Sequence, residues 1–182
     1  MNEKKEVFLI ADTHFGHQKM VTEFNDGKKM KKMRPWDSVE EMNEAMVKLW
    51  NDTVRPNDKI YHLGDFVLNR RFLEIAGRLN GKKILIKGNH DVFRIEEYTK
   101  HFVDILSCHV LSDMILTHVP VHPNQLSRFK INVHGHMHDK YVTKEVEGVM
   151  VPDERYICVS VERIGFKPIH LNDVRNLNKN ID

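Results

Sequence analysis

The sequence predicts an α/β fold, with a parallel sheet in the first half and a second, largely antiparallel sheet after it. Two observations predict this. Short apolar runs alternate with amphipathic helical patterns up to Asp91, and beyond it β-type runs follow one another with few helical patterns between them. A third observation concerns function: each early apolar run stops at a polar residue able to bind a metal or a phosphate.

Val7–Ala11 (VFLIA) is a continuous apolar run ending in Asp12, the mark of a strand buried on both faces. GKKMKKMRP, residues 27–35, is a basic stretch bounded by breakers and reads as a loop. Ser38 with Glu41 three residues on forms a capping-box pattern, and Val39, Met42, Met46, Leu49 and Trp50 repeat at helical spacing to about Val54, where Pro56-Asn57 ends the helix. Ile60–Leu63 is a second strand ending at Gly64-Asp65. Arg70–Leu79 is a second helix with Phe72, Ile75, Ala76 and Leu79 on one face and Asn80-Gly81 as its stop. Ile84–Ile86 is a third strand, running into Gly88-Asn89-His90-Asp91. This order implies parallel strands joined by crossovers. Val103–Val110, Met114–Thr117, Ile131–Val133, Val142–Val146 and Tyr156–Val161 then read as strands joined mainly by hairpins, and Leu171–Leu177 as a short closing helix.

With 182 residues the chain predicts a single domain spanning 1–182. Twenty-eight Lys and Arg against 26 Asp and Glu leave a formal charge of +2, which excludes a strongly basic nucleic-acid coat and an acidic tail. No run approaches the roughly 20 apolar residues needed to span a bilayer, so no membrane association is expected. The apolar stretch near the N-terminus is too short for a signal peptide, and two distant cysteines make a disulfide framework improbable. A cytoplasmic location is therefore expected.

Twelve histidines are many for so ordinary a composition. Ligands in parallel α/β sheets gather beyond the carboxyl ends of the strands, and there the sequence delivers Asp12 with His14, Asp65, and Asn89 with His90. Later strands add His118 (MILTH), then His136 and His138 (VHGHMH). On extended backbone, residues two apart face one side, so Asp12 with His14 and His136 with His138 are each expected to offer two ligands to one place. Three oxygen donors and four imidazoles exceed one ion's needs and suit two ions sharing a carboxylate. Oxygen and nitrogen donors without thiolate favour divalent transition metals over Ca²⁺ or Mg²⁺.

Asp12-x-His14, Gly64-Asp65, Gly88-Asn89-His90-Asp91, His118 and Gly135-His136-x-His138 resemble, in order and spacing, the motifs of the calcineurin-like metallophosphoesterase superfamily. The compact length and the wording ADTHFGH and YHLGDF resemble its small bacterial and phage members. The resemblance implies a four-layer α/β/β/α sandwich of two mixed β-sheets flanked by helices. It also implies one ion on Asp12, His14, Asp65 and His138, and another on Asp65, Asn89, His118 and His136, with Asp65 bridging. Manganese is the first expectation for the pair, with iron, zinc or nickel as alternatives. The implied reaction is phosphoester hydrolysis by a metal-bridging hydroxide, with His90 contacting a phosphoryl oxygen or protonating the leaving group.

Phosphoprotein-phosphatase members carry a second carboxylate three residues after the bridging aspartate. Here that position is Leu68, so Asp91 is the candidate to orient His90, and a protein phosphomonoesterase is disfavoured against a phosphodiesterase. The expected substrate is a nucleotide, a nucleic-acid end or a small phosphodiester, with Asn89, His17 and Arg34 as further substrate contacts; Arg34 is chosen from the basic loop because a guanidinium fork fits phosphate. No obligatory protein partner is expected. His62 and His134 alternate away from their motifs and are expected to pack or support. A nucleotide pyrophosphohydrolase and a catalytically silent metal-binding scaffold are the alternative readings; the scaffold would be expected to have lost ligands, and none is missing.

Overall fold

The computed structural model describes residues 4–22, 24–25 and 30–178. In chain order the strands are β1 (Val7–Ile10), β2 (Phe24–Asn25), β3 (Met30–Lys31), β4 (Lys59–His62), β5 (Lys82–Ile86), β6 (Asp104–Leu106), β7 (His109–Leu111), β8 (Met114–Leu116), β9 (Ile131–His134), β10 (Thr143–Val146), β11 (Val149–Pro152), β12 (Tyr156–Cys158) and β13 (Ile169–His170). The α-helices are α1 (Val39–Thr53) and α2 (Ile95–Tyr98), and the remaining helical segments are 3-10 turns.

Two mixed sheets form the body. The first has the order β13-β1-β4-β5-β6, with β1, β4, β5 and β6 parallel and β13 antiparallel at the edge. Its register aligns Ile10 with His62 and His62 with Leu85, so the segments leaving all three strands emerge at one rim. The second sheet has the order β12-β9-β8-β7 and is not largely antiparallel as expected: only β7–β8 is. Connection 117–130 crosses over through a short 3-10 turn, Pro123–Ser127, too brief to leave a helical period in the sequence. The hairpin β10–β11 stands apart as a two-stranded ribbon. The expected strand 103–110 is two strands, β6 in the first sheet and β7 in the second, so the chain changes sheets there.

Helix α1 begins where the capping pattern places it. The Ser38 side chain accepts the Glu41 amide at 3.0 Å, while Glu41 reaches back to the Asp37 amide. Its apolar stripe buries Val39, Met42, Met46 and Trp50, and the Trp50 ring stacks toward His62 while its indole N–H donates to the Asn80 carbonyl. The second helical segment forms at Arg70–Arg78 but winds as a 3-10 helix. Three residues per turn aligns positions i and i+3, and Leu73, Ala76 and Leu79 form a buried line with Ile75 buried beside it; Phe72 instead leans over Gly16. On the second sheet, Ile115 of β8 and Tyr156 of β12 make a small separate apolar cluster with Leu126. Both cysteines are free, and no described helix is long and apolar enough to cross a membrane.

Buried Asp58 ties the start of the first sheet together. Its carboxylate accepts the amides of Glu6 and Arg55 and the Arg55 guanidinium. Burial pushes its carboxyl up, but these donors outweigh burial and hold it below the ordinary carboxylate range. Such a group stabilises the fold fully above the unfolded-state value and loses that contribution as pH falls through both values. Asp58→Asn is expected to cost about 2 kcal/mol at neutral pH. In urea titrations the gap to wild type should close below about pH 4; a gap unchanged at acid pH would contradict this role.

Candidate metal centre

The residues at the common rim have an unusual backbone. Asp12 (φ 57°), His14 (φ 46°), Asp65 (φ 58°), His136 (φ 67°) and His138 (φ 53°) all occupy the left-handed region. The expectation of extended D-x-H and H-x-H segments is therefore corrected: both members of each pair turn left-handed, and while Asp12 and His14 stay in one group, His138 joins them and His136 falls in the other. A non-glycine residue held there costs roughly 1–2 kcal/mol and persists only where neighbours fix it. The fixing bonds are present. The amide of Asp12 donates to the Gly64 carbonyl, and those of His14 and Phe15 to the carbonyls of Asp65 and Phe66. The Asp12 carboxylate accepts the His136 amide at 2.9 Å and the Ser160 hydroxyl at 2.6 Å. The Asp65 carboxylate accepts the His90 amide at 2.9 Å.

These turns gather the candidate ligands into two groups. Asp12, His14 and His138 form one, and Asp65, His118 and His136 the other; within each, the ligand atoms lie within 4.8 Å of one another. Asp65 Oδ2 lies between them, 3.4 Å from His118 Nε2 and 3.7 Å from His14 Nε2. Asn89 Oδ1 accepts from His118 Nε2 at 2.9 Å and from His136 Nδ1 at 3.0 Å. His118 donates Nδ1–H to the Leu63 carbonyl at 2.8 Å, which directs its other nitrogen into the site.

The electrostatics are those of an ion-binding cleft. Burial raises the Asp12 carboxyl to about 6 against the pull of His138 and Ser160. Burial also pushes Asp65 up, but His118, the His90 amide and His14 together hold it at about 2. Burial, with help from the Arg34 charge, drives His14 down to about 2, so it is a neutral imidazole. His14 is buried with neither ring nitrogen hydrogen-bonded, and an unpaired buried polar group is costly. A divalent cation fits this place: it would satisfy a neutral nitrogen that has no other partner, beside two carboxylates.

The remaining predicted residues fall as follows. His90 stands at the mouth, about half exposed, with Nε2 4.0 Å from Asp65 Oδ2 and its ring 5.7 Å from that of His14. His17 lines the same wall, its ring centroid 5.6 Å from His14, with a buried Nδ1 that has no hydrogen-bond partner. Asp91 does not orient the His90 ring. It is buried and accepts the amides of Asp65, Phe66 and Gly88, joining the second and third strand-end loops. Burial raises its carboxyl to about 6 against those three donors. Arg34 is not a substrate contact: it is 1% exposed, its guanidinium bonded to the carbonyls of Asp12 and Thr13 and to Glu162. Lys28 and Lys29 of the basic loop lie outside the described residues. His62 supports the site through the Thr13 hydroxyl at 3.0 Å, and His134 bonds the Gly135 carbonyl.

Sequence reasoning missed Glu162 and Ser160. Both follow β12 at spacing two, as Asp12 and His14 follow β1, and that repeated arrangement at a strand end was the available signal.

Residues 6–180 match the sequence profile of the calcineurin-like phosphoesterase family. The chain belongs to this family. A relative from Methanocaldococcus jannaschii, the uncharacterized protein MJ1445, is 32% identical over 176 residues, covering 92% of this chain and 88% of its own. The crystal structure of AQ665, a protein of unknown function from Aquifex aeolicus, superposes with TM-score 0.64 at 22% identity over 96% of this chain and 100% of the other, and so shares the fold. An archaeal phosphodiesterase is more distant, at TM-score 0.46 and 19% identity over 85% of this chain and 82% of its own. The family's members typically bind divalent metals, which agrees with the two groups of His and Asp described above.

Close packing at the rim constrains the glycines. A Cβ on Gly135 would sit 2.5 Å from Asp12 Oδ2 and 2.7 Å from the Ala11 Cβ. Gly135→Ala must push Asp12 away from the His136 amide. It is expected to destabilise the protein by about 1–3 kcal/mol through overpacking and to weaken metal uptake. Thermal unfolding with and without Mn²⁺ reads both effects, and an alanine variant with wild-type melting and metal response would refute the tight seam.

Proposed function

We propose that this protein is a dinuclear metal-dependent phosphoester hydrolase acting by preference on phosphodiesters. The observation that carries the reading is that Asp65, a member of one group of metal-competent side chains, also brings Oδ2 within 3.7 Å of His14 in the other. Asp12, His14, Asp65 and His138 would hold one ion, and Asp65, Asn89, His118 and His136 the other, with manganese the first candidate. When bound, such a pair supplies Lewis acidity, neutralising charge on a phosphoryl group and letting water ionise near neutral pH.

The chain's own residues supply the rest. His118 is fixed by Leu63 so that Nε2 faces inward, and its hydrogen bond to Asp65 raises its proton affinity despite burial. That proton must leave before Nε2 can ligate, and the same holds for Asp12. Metal affinity should therefore fall as pH drops through about 6, where Asp12 takes up a proton. His90 at the mouth is placed to contact a phosphoryl oxygen and to give a proton to the departing alkoxide. His17 on the same wall offers a second contact to the substrate. Leucine at position 68, in place of a second carboxylate, supports the diester preference.

The test compares bis(p-nitrophenyl) phosphate with p-nitrophenyl phosphate in the presence of Mn²⁺. The diester is expected to be the better substrate. Asp65→Asn should abolish turnover, whereas His90→Ala should keep both ions and lose roughly 10²–10⁴-fold in rate, the usual range for a general acid. Wild-type protein that cleaves neither ester with any divalent transition metal would overturn the reading.

A further inference from the structure

Arg34 and Glu162 form a buried ion pair that touches three parts of the candidate centre. The guanidinium donates to the Thr13 carbonyl at 2.6 Å and to the Asp12 carbonyl at 2.6 Å, while Nε donates to Glu162 Oε1 at 2.9 Å. Glu162 uses its other oxygen on His138, whose Nδ1 donates to Oε2 at 3.1 Å. Both charged side chains are nearly enclosed, at 0% and 7% exposure. The contacts divide cleanly: the arginine grips the backbone between two left-handed residues, Asp12 and His14, and the glutamate grips the ring of His138. Asp12, His14 and His138 are the three residues of one metal-competent group. The other group has a different support, a backbone carbonyl behind His118.

We infer that Arg34 and Glu162 are positioning residues dedicated to the ion on Asp12, His14 and His138, and that they make this the tighter and first-filled of the two sites. The inference rests on the dinuclear reading above. Taking two charges out of water only to join two loops is costly, and apolar side chains of like volume often serve stability as well. What the pair adds is geometry. A carboxylate on Nδ1–H fixes the tautomer and ring plane so that Nε2 is the ligand, and it makes that nitrogen a better donor. The guanidinium is a planar fork that meets two carbonyls and a carboxylate at once, which a lysine cannot do. Ser160, two residues before Glu162, donates to Asp12 Oδ2, so one short segment after β12 supports both Asp12 and His138.

The experiment titrates Mn²⁺ into metal-free wild type and Glu162→Gln, following each site by calorimetry and by the spin-coupled signal of the filled pair. Wild type is expected to fill two sites in sequence. Glu162→Gln should weaken the first site by about 10–100-fold, leave the second within about twofold, and give a coupled signal only at much higher metal concentration. Two intact sites in the variant, or equal weakening of both, overturns the inference while leaving the dinuclear reading standing. Wild type that binds no metal overturns both. Should Glu162→Gln fail to fold, Arg34→Lys is read by the same criteria. Independently of any variant, nitrogen NMR of the zinc-loaded wild-type protein should show His138 protonated at Nδ1; protonation at Nε2 would overturn the inference.

Discussion

The two sheets meet along a seam where Ala11, just beyond β1, lies between the backbone groups of Val159 and Val161 beyond β12. Everything at the rim depends on that junction. It aligns the carboxyl ends of β1, β4 and β5 with those of β8, β9 and β12, so residues more than a hundred positions apart share one cleft. Three carboxylates then fasten the loops: Asp12 holds the His136 amide, Asp65 the His90 amide, and Asp91 the amides of Asp65, Phe66 and Gly88. Hydrogen bonds to ionised groups are worth roughly 1.5–3 kcal/mol each, comparable to the cost of the left-handed turns they secure.

The rim also carries features that are costly in themselves. Five residues with left-handed backbone, a neutral His14 without hydrogen bonds and two buried carboxylates are features a stability-driven interior would avoid. Strain and unsatisfied polar groups collect where chemistry requires a fixed geometry. A cation that binds only the folded chain would return much of that cost, since ligand binding to the native state adds to its stability.

Much of this was legible in the residues. The buried strands, α1 with its Ser38 cap and the gathering of the seven candidate ligand residues at one rim followed from apolar runs, helical periodicity and the placement of Asp, Asn and His at strand ends. Other features were not. The handedness of Asp12 and His14 is a backbone property that residue type only suggests, although Asp and His are among the side chains that tolerate it best. Arg34 lies in a run of lysines and reads as solvent-exposed; its burial is decided by Glu162, 128 positions away. The parallel order of β8, β9 and β12 was hidden because no long helix marks their crossovers. The four-layer expectation came from resemblance; on the second sheet the 3-10 turn Pro123–Ser127 brings Leu126 against Ile115 and Tyr156.

In the proposed centre one carboxylate, Asp65, joins two ion sites where the two sheets meet. Anomalous diffraction at the manganese edge from Mn²⁺-soaked crystals tests it most directly. Two peaks are expected to flank Asp65, one against Asp12, His14 and His138 and one against Asn89, His118 and His136. A single peak away from Asp65, or two peaks that do not share it, would rule out a shared Asp65.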